Sequence, residues 1–278
     1  MPVTPINDTH LYIEDSGGTG RPVVLIHGWP LSGESWDAQV PDLIAAGYRV
    51  ITYDRRGFGR SSTGTSYDYD TLAADLAGIM AHLDLQDATL VGFSMGGGEV
   101  ARYLARHGGQ RVRSVVFASS VTPYMMQTND NPEGPLTTLA AEKMEGQLRA
   151  DRAAFYDTFT TDFFSVKALL GLVSDLKVTE DTRQMAMNIC LQSDQTAALA
   201  CMRSFGTTDF RDDLAAVTCP TLVIHGDGDG IVPFEGSGAR THEAVPGSEL
   251  VLIAGGPHGV NASHPSQFNV ALLDFLSA

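Results

Sequence analysis

Short apolar runs recur along the chain and alternate with stretches whose apolar residues fall three and four positions apart. The runs Pro22–His27, Tyr48–Tyr53, Ala88–Phe93, Val112–Ala118, Pro220–His225 and Leu250–Ile253 have strand length and β-forming composition. Strands alternating with helices predict an α/β fold, a mostly parallel sheet covered on both faces. Leu11–Glu14 predicts an antiparallel edge strand at the start. Between the runs, Asp70–Leu83 puts Leu72, Leu76, Ile79, Met80 and Leu83 on one helical face, which should pack on the sheet. The stretch after Ser94 does the same with Val100, Tyr103 and Leu104. Its Arg102, Arg106 and His107 suit the negative end of a helix dipole, and Gly108-Gly109 stops it. A closing helix is expected from about His264 to Leu276.

The alternation breaks between about Thr122 and Phe205, where no convincing strand pattern appears. This segment holds six of the nine methionines and the cluster Phe155, Phe159, Phe163 and Phe164. The expected organisation is therefore a core of residues 1–121 and 206–278 with a helical cap, 122–205, inserted over one edge of the sheet. Taken singly, each Met or Phe reads as packing; as a group at a cap–core junction they predict the walls of an apolar pocket.

Composition narrows the partners. With 43% hydrophobic residues in 278, the chain can bury a full core. Its net charge of −15 repels nucleic acid and anionic membrane surfaces, and favours a neutral or weakly charged small molecule. Cys190, Cys201 and Cys219 lack metal-site or disulfide spacing and predict free thiols in a reducing compartment. No leader pattern and no membrane-length apolar run is seen, so the expected location is cytoplasmic.

The chemistry concentrates at three points. Gly92-Phe93-Ser94-Met95-Gly96 is G-x-S-x-G between a strand and a helix, the setting of a nucleophile elbow. Its glycines let backbones approach where a Cβ would clash, and the adjoining helix N-terminus can hold negative charge. A serine needs a base, and the base needs a third group to fix its tautomer. In this fold the chain order is Ser, Asp or Glu, then His. His258, in Gly255-Gly256-Pro257-His258-Gly259 after the last strand, is the expected base, while His264 suits a surface or capping role. The acid should lie on the loop His225-Gly226-Asp227-Gly228-Asp229-Gly230, where spacing alone does not separate Asp227 from Asp229. His225 at the strand end reads as a hydrogen-bonded structural residue. The D-G-D-G string lacks the further oxygen ligands of a calcium loop, so no metal is expected. His27-Gly28-Trp29-Pro30 follows the first long strand. The backbone N–H of Trp29 and that of Met95 are the expected oxyanion donors; Pro30 has none to give.

These motifs carry a family resemblance. His27–Pro30, Asp54–Ser61 (D-R-R-G-F-G-R-S), Gly92–Tyr103, His225–Phe234 and Pro257–Gly259 together resemble the cofactor-free haloperoxidases and the similar bacterial aryl esterases and γ-lactamases, over nearly the whole chain. The resemblance implies an α/β-hydrolase fold with an eight-stranded sheet, Asp229 as the acid, and an oxyanion hole at Trp29 and Met95. It implies a pocket lined by Pro30, Val121, Phe159, Phe163, Phe205, Ile231 and Val232. It also implies no cofactor, a homo-oligomer, and a small ester or carboxylic acid as substrate, with hydrogen peroxide as a second acyl acceptor. Met95 matches the aryl esterases, whereas Pro30 matches the perhydrolase-like members and is expected to shift the Trp29 carbonyl towards an incoming peroxide. Two alternatives stay open: a γ-lactamase or other amidase with the same triad, and a hydrolase-fold receptor that turns over slowly. A carbon–carbon bond hydrolase ranks low, because the expected pocket offers no basic residue.

Overall fold

In a computed structural model, which describes residues 3–167 and 174–278, the core is a seven-stranded sheet. The strands are β1 (Thr4–Ile6), β2 (Thr9–Leu11), β3 (Ile13–Asp15), β4 (Pro22–Ile26), β5 (Arg49–Tyr53), β6 (Ala88–Phe93), β7 (Val112–Ala118), β8 (Ser165–Lys167), β9 (Ser174–Leu176), β10 (Thr221–Gly226) and β11 (Glu249–Ile253). The main sheet runs β11-β10-β7-β6-β4-β5-β3, parallel throughout except for β3. Every residue of β6 and β10 is buried, which is why these segments read as unbroken apolar runs rather than alternating ones.

The sheet has seven strands among the described residues where eight were expected. Tyr12 belongs to neither strand and the edge segment splits there: Ile13–Asp15 pairs antiparallel with β5, while Thr9–Leu11 forms a separate hairpin with Thr4–Ile6.

From β4 the chain moves outward through α1 (Val40–Ala45) to β5, then jumps back across β4 through α2 (Tyr69–His82) to β6. Helix α3 (Met95–His107) continues in that second direction to β7. Right-handed crossovers in opposite directions put α1 on one face and α2 and α3 on the other. They also open a crevice at the C-terminal ends of β4 and β6, where the strand order reverses. The loop after β4 carries Trp29, and the turn after β6 carries Ser94.

The described residues of 122–205 add no strand to the main sheet. They contribute α4 (Thr138–Ala150), α5 (Arg152–Phe163), α6 (Glu180–Gln192) and most of α7 (Gln195–Thr207). Each starts on a capping side chain: Thr137, Asp151, Thr179 and Asp194 accept from the amide three residues on. The expectation of no strand here is corrected by the short β8–β9 hairpin, and residues 168–173 of the segment lie outside the described residues. Three residues per strand give too short a pattern to read as period two. The chain returns to the sheet through α8 (Arg211–Leu214), α9 (Gly238–Ala244), α10 (Val260–Ser263) and α11 (Pro265–Ser277). No described helix is long and apolar enough to cross a membrane. Cys190 and Cys201 are buried free thiols, and Cys219 is partly buried and unpaired.

Candidate active site

Ser94 sits at the end of a fully buried strand and one residue before a helix, with φ 54° and ψ −117°. A non-glycine residue in that region is strained, and such strain persists only where the surroundings over-determine it. Here they do. A Cβ on Gly92 would meet the Gly96 carbonyl oxygen at 2.5 Å, and one on Gly96 would meet the Ile26 oxygen at 2.4 Å. The Ser94 amide donates to Ala118 O at 2.8 Å, and its carbonyl accepts from Gly97 and Val121. The turn is thereby pinned to the neighbouring strand, leaving the side chain to project into the crevice.

Two loops from the far half of the chain converge on that side chain. His258 Nε2 lies 3.0 Å from Ser94 Oγ, and its Nδ1 lies 2.7 Å from Asp229 Oδ2. The other carboxylate oxygen of Asp229 accepts from the Ile231 and Val232 amides at 2.9 and 2.8 Å. Burial alone would raise the Asp229 pKa, but the imidazoles of His258 and His225 beside it, with their hydrogen bonds, hold it well below the usual carboxylate range. Asp227, two residues earlier, turns away: its carboxylate accepts from the Gly255 amide at 2.6 Å and ties the Asp229 loop to the His258 loop. Backbone bonds from Asp227 to Ile253 and from Gly228 to Gly256 complete that tie.

His225 is hydrogen-bonded, as expected, and it also lies against Asp229. It is fully buried, and its Nε2 lies 2.8 Å from Val232 O and 3.2 Å from Asp229 Oδ2. Nδ1 has no partner, which is cheaper for a bare lone pair than for an N–H, so the proton belongs on Nε2. One N–H thus faces both a carbonyl and the Asp229 carboxylate. Val232 accepts from His225 through its carbonyl and donates to Asp229 through its amide.

The Trp29 loop is set against the elbow. A Cβ on Gly28 would touch the Phe93 ring at 2.8 Å and Ser94 Cβ at 3.0 Å, so only glycine allows this approach. Among the described residues neither the Trp29 nor the Met95 amide donates to another protein group; Met95 opens α3, where the first amides have no intrahelical partner. His27 anchors the loop from below, its Nε2 accepting the Arg55 amide at 2.9 Å, while Arg55 pairs with Glu99 in the core. Burial, with Arg55 nearby, holds the His27 pKa well below its ordinary value, so the imidazole stays neutral.

These groups face a cavity of about 50 Å³. Trp29, Ser94, Val121, Phe159, Phe205, Ile231, Val232 and His258 are among its walls. Pro30 and Phe163, expected there, are not. The Trp29 ring is held in the wall by its Nε1–H, which donates to Ala198 O at 2.9 Å, while Pro30 is buried outside the cavity. Phe163 lies one helical turn beyond Phe159, far enough to pass the end of the cavity. Its ring meets His258 edge-on at 5.0 Å and lines a separate groove. Sequence reasoning missed Met125, Leu136 and Met144, which complete the walls; the methionine-rich insertion signalled a pocket without saying which residues face it. Met144, Phe159 and Ile231 are shared with an adjoining pocket of about 390 Å³ whose rim carries Asp151 and Asp162. Among the described residues, no group of three His, Cys, Asp or Glu side chains is arranged to hold a metal ion.

Residues 21–265 match the model of the alpha/beta hydrolase fold family. The chain is similar to the bromoperoxidase of Bacillus anthracis, whose crystal structure superposes with a TM-score of 0.93 at 51% identity, covering 97% of this chain and 96% of that one. It is 37% identical over 280 residues to a non-haem chloroperoxidase of Kitasatospora aureofaciens, covering all of both chains. It is 35% identical over 277 residues to a bifunctional esterase/perhydrolase of Acinetobacter calcoaceticus, covering 99% of this chain and 98% of that one.

Proposed function

Because the chain belongs to the α/β hydrolase family, among the non-haem haloperoxidases and esterase/perhydrolases, we propose that it is a serine hydrolase that cleaves small carboxylic esters and passes the acyl group to water or to hydrogen peroxide. The observation that carries this is the unbroken chain Ser94–His258–Asp229 opening onto a small, largely apolar cavity.

In this mechanism His258 Nε2 takes the Ser94 proton as Oγ attacks the ester carbonyl. Asp229 keeps the other ring proton on Nδ1 and stabilises the imidazolium that forms. The Trp29 and Met95 amides receive the oxyanion, and the positive end of α3 supports it. The proton then goes to the departing alkoxide, leaving an acyl group on Ser94. His258 next deprotonates water, releasing a carboxylic acid, or hydrogen peroxide, releasing a peracid. A peracid carries its oxidising oxygen away from the protein and can oxidise bromide in solution without metal or haem. The small cavity beside Ser94 suits a short acyl group, while the wider adjoining pocket suits the leaving group.

Residues 122–205 act as the cap in this reading, since α4, α5 and α7 supply Met144, Phe159 and Phe205. We also propose a cytoplasmic homo-oligomer that does not engage nucleic acid or membrane. The unpaired cysteines and net charge of −15 support the first and last points. Exposed Leu250 and Leu252 on edge strand β11, with Val270 on α11, support association.

The deciding experiment follows p-nitrophenyl acetate hydrolysis, and then peracid formation and bromination with peroxide present. Ser94-dependent hydrolysis with peroxide-dependent bromination is the expected result. Hydrolysis without peracid would remove the perhydrolase half, and binding without turnover would remove both.

His225 is a positioning residue in this scheme, acting through Asp229. His225→Phe is expected to lower kcat on the order of 10–100-fold, the scale typical of groups that orient a functional side chain, with KM changed less than about twofold. Its effect should nearly vanish in an Asp229→Asn background. Equal losses in both backgrounds would show that His225 only supports the fold.

A further inference from the structure

The cavity at Ser94 has two thioethers in its walls that hydrolysis does not use. Met125 follows β7 and is 4% exposed; Met144 projects from α4 and is half-buried. Met144 also lines the adjoining pocket, so a molecule passing between pocket and cavity passes its side chain. A space of about 50 Å³ holds any occupant against its walls. Thioether sulfur is the softest and most readily oxidised group there.

We propose that Met125 and Met144 are modification sites, converted to methionine sulfoxide by the peracid that forms on Ser94. This rests on the perhydrolase reading above, and the oxidant is the peracid made from acyl-enzyme and hydrogen peroxide. Sulfur gives an electron pair to the terminal peroxy oxygen, the O–O bond breaks and an S–O bond forms. The peroxy proton leaves on the released carboxylic acid. Sulfur is oxidised by two electrons and the peracid is reduced by two. Confinement raises the effective concentration of the reacting pair far above that of peracid in bulk. A sulfoxide puts a strong dipole in an apolar passage, so substrate entry weakens with each turnover that ends this way; sulfoxide reduction would restore it.

Bulk oxidant leaves a different record. Met185 on α6 is 63% exposed and should be attacked first by peroxide or peracid arriving from solution, while Met125 is shielded. Wild type would be incubated with p-nitrophenyl acetate and hydrogen peroxide while released peracid is assayed, then digested and mapped by mass spectrometry. Parallel samples would be peroxide alone, Ser94→Ala with both reagents, and Ser94→Ala with added peracetic acid. Sulfoxide at Met144 and Met125 should exceed that at Met185 by about tenfold in the turnover sample, and Met185 should lead in all the others. Peracid release with Met185 leading in the wild type would overturn the inference and leave the perhydrolase reading standing. Absence of peracid would sink both. In the Met125→Leu/Met144→Leu variant, total turnovers before inactivation, divided by initial rate, should rise several-fold; an unchanged ratio would overturn the inference as well.

Discussion

Replacing Ser94 by alanine is expected to lower kcat for p-nitrophenyl acetate by about 10⁵–10⁶-fold and to abolish peroxide-dependent bromination with it. Loss of Oγ removes the atom that becomes acylated, and His258 then has no proton to take. What remains is the rate supplied by the oxyanion amides acting on a water, which is small because nothing holds that water at 3.0 Å from Nε2 as Oγ is held. The fold should survive. Among the described residues Ser94 Oγ bonds only His258, and alanine meets the same strained φ of 54° that serine already tolerates. The thermal midpoint should stay within a few degrees, so circular dichroism separates catalytic loss from unfolding. Retention of a tenth of wild-type turnover by a folded Ser94→Ala protein would show that acyl transfer does not pass through this residue.

The second large effect is expected from Asp229→Asn, at about 10⁴-fold in kcat with little change in KM. The asparagine oxygen can still accept from the Ile231 and Val232 amides, so the loop keeps its shape. Its NH₂ then faces His258 Nδ1, which must present a lone pair. The ring proton moves to Nε2, and the base loses the site that takes the serine proton. A pH signature accompanies this. The Asp229 pKa is depressed in the folded protein, so the ionised carboxylate contributes stability fully present above the ordinary carboxylate pKa of about 3.9 and lost as pH falls through the folded value. The difference in urea midpoint between wild type and Asp229→Asn should be constant from pH 8 to about 5 and shrink below about pH 4. A difference that grew on acidification would contradict the sign of the shift.

The central strands were legible because both faces of β6 and β10 are buried, and burial on two sides writes an unbroken apolar run into the sequence. The elbow was legible for a steric reason: glycines two residues either side of Ser94 answer clashes of 2.5 and 2.4 Å. The loops carrying Asp229 and His258 could be named from chain order after the last two strands. The edge of the sheet was less legible, since a three-residue strand carries little periodicity, and the break in pairing at Tyr12 has no local signal.

The sequence by itself determined the fold class, the turn that exposes Ser94, and the short lists from which its partners come. These depend on burial period and on sterics between residues close along the chain. Spacing left Asp227 and Asp229 open and the resemblance favoured Asp229; tertiary structure puts Asp227 on the Gly255 amide and Asp229 on His258. It placed His225 on the same carboxylate, put Met125, Leu136 and Met144 in the cavity wall, and left Pro30 and Phe163 out of it. The physical reason is that the walls and partners come from loops and helices far apart in the chain; Ser94 and His258 are 164 positions apart. Their meeting is fixed by the strand order and by the packing of α4 against α5 and α7, and neither is encoded in the local pattern around any one of them.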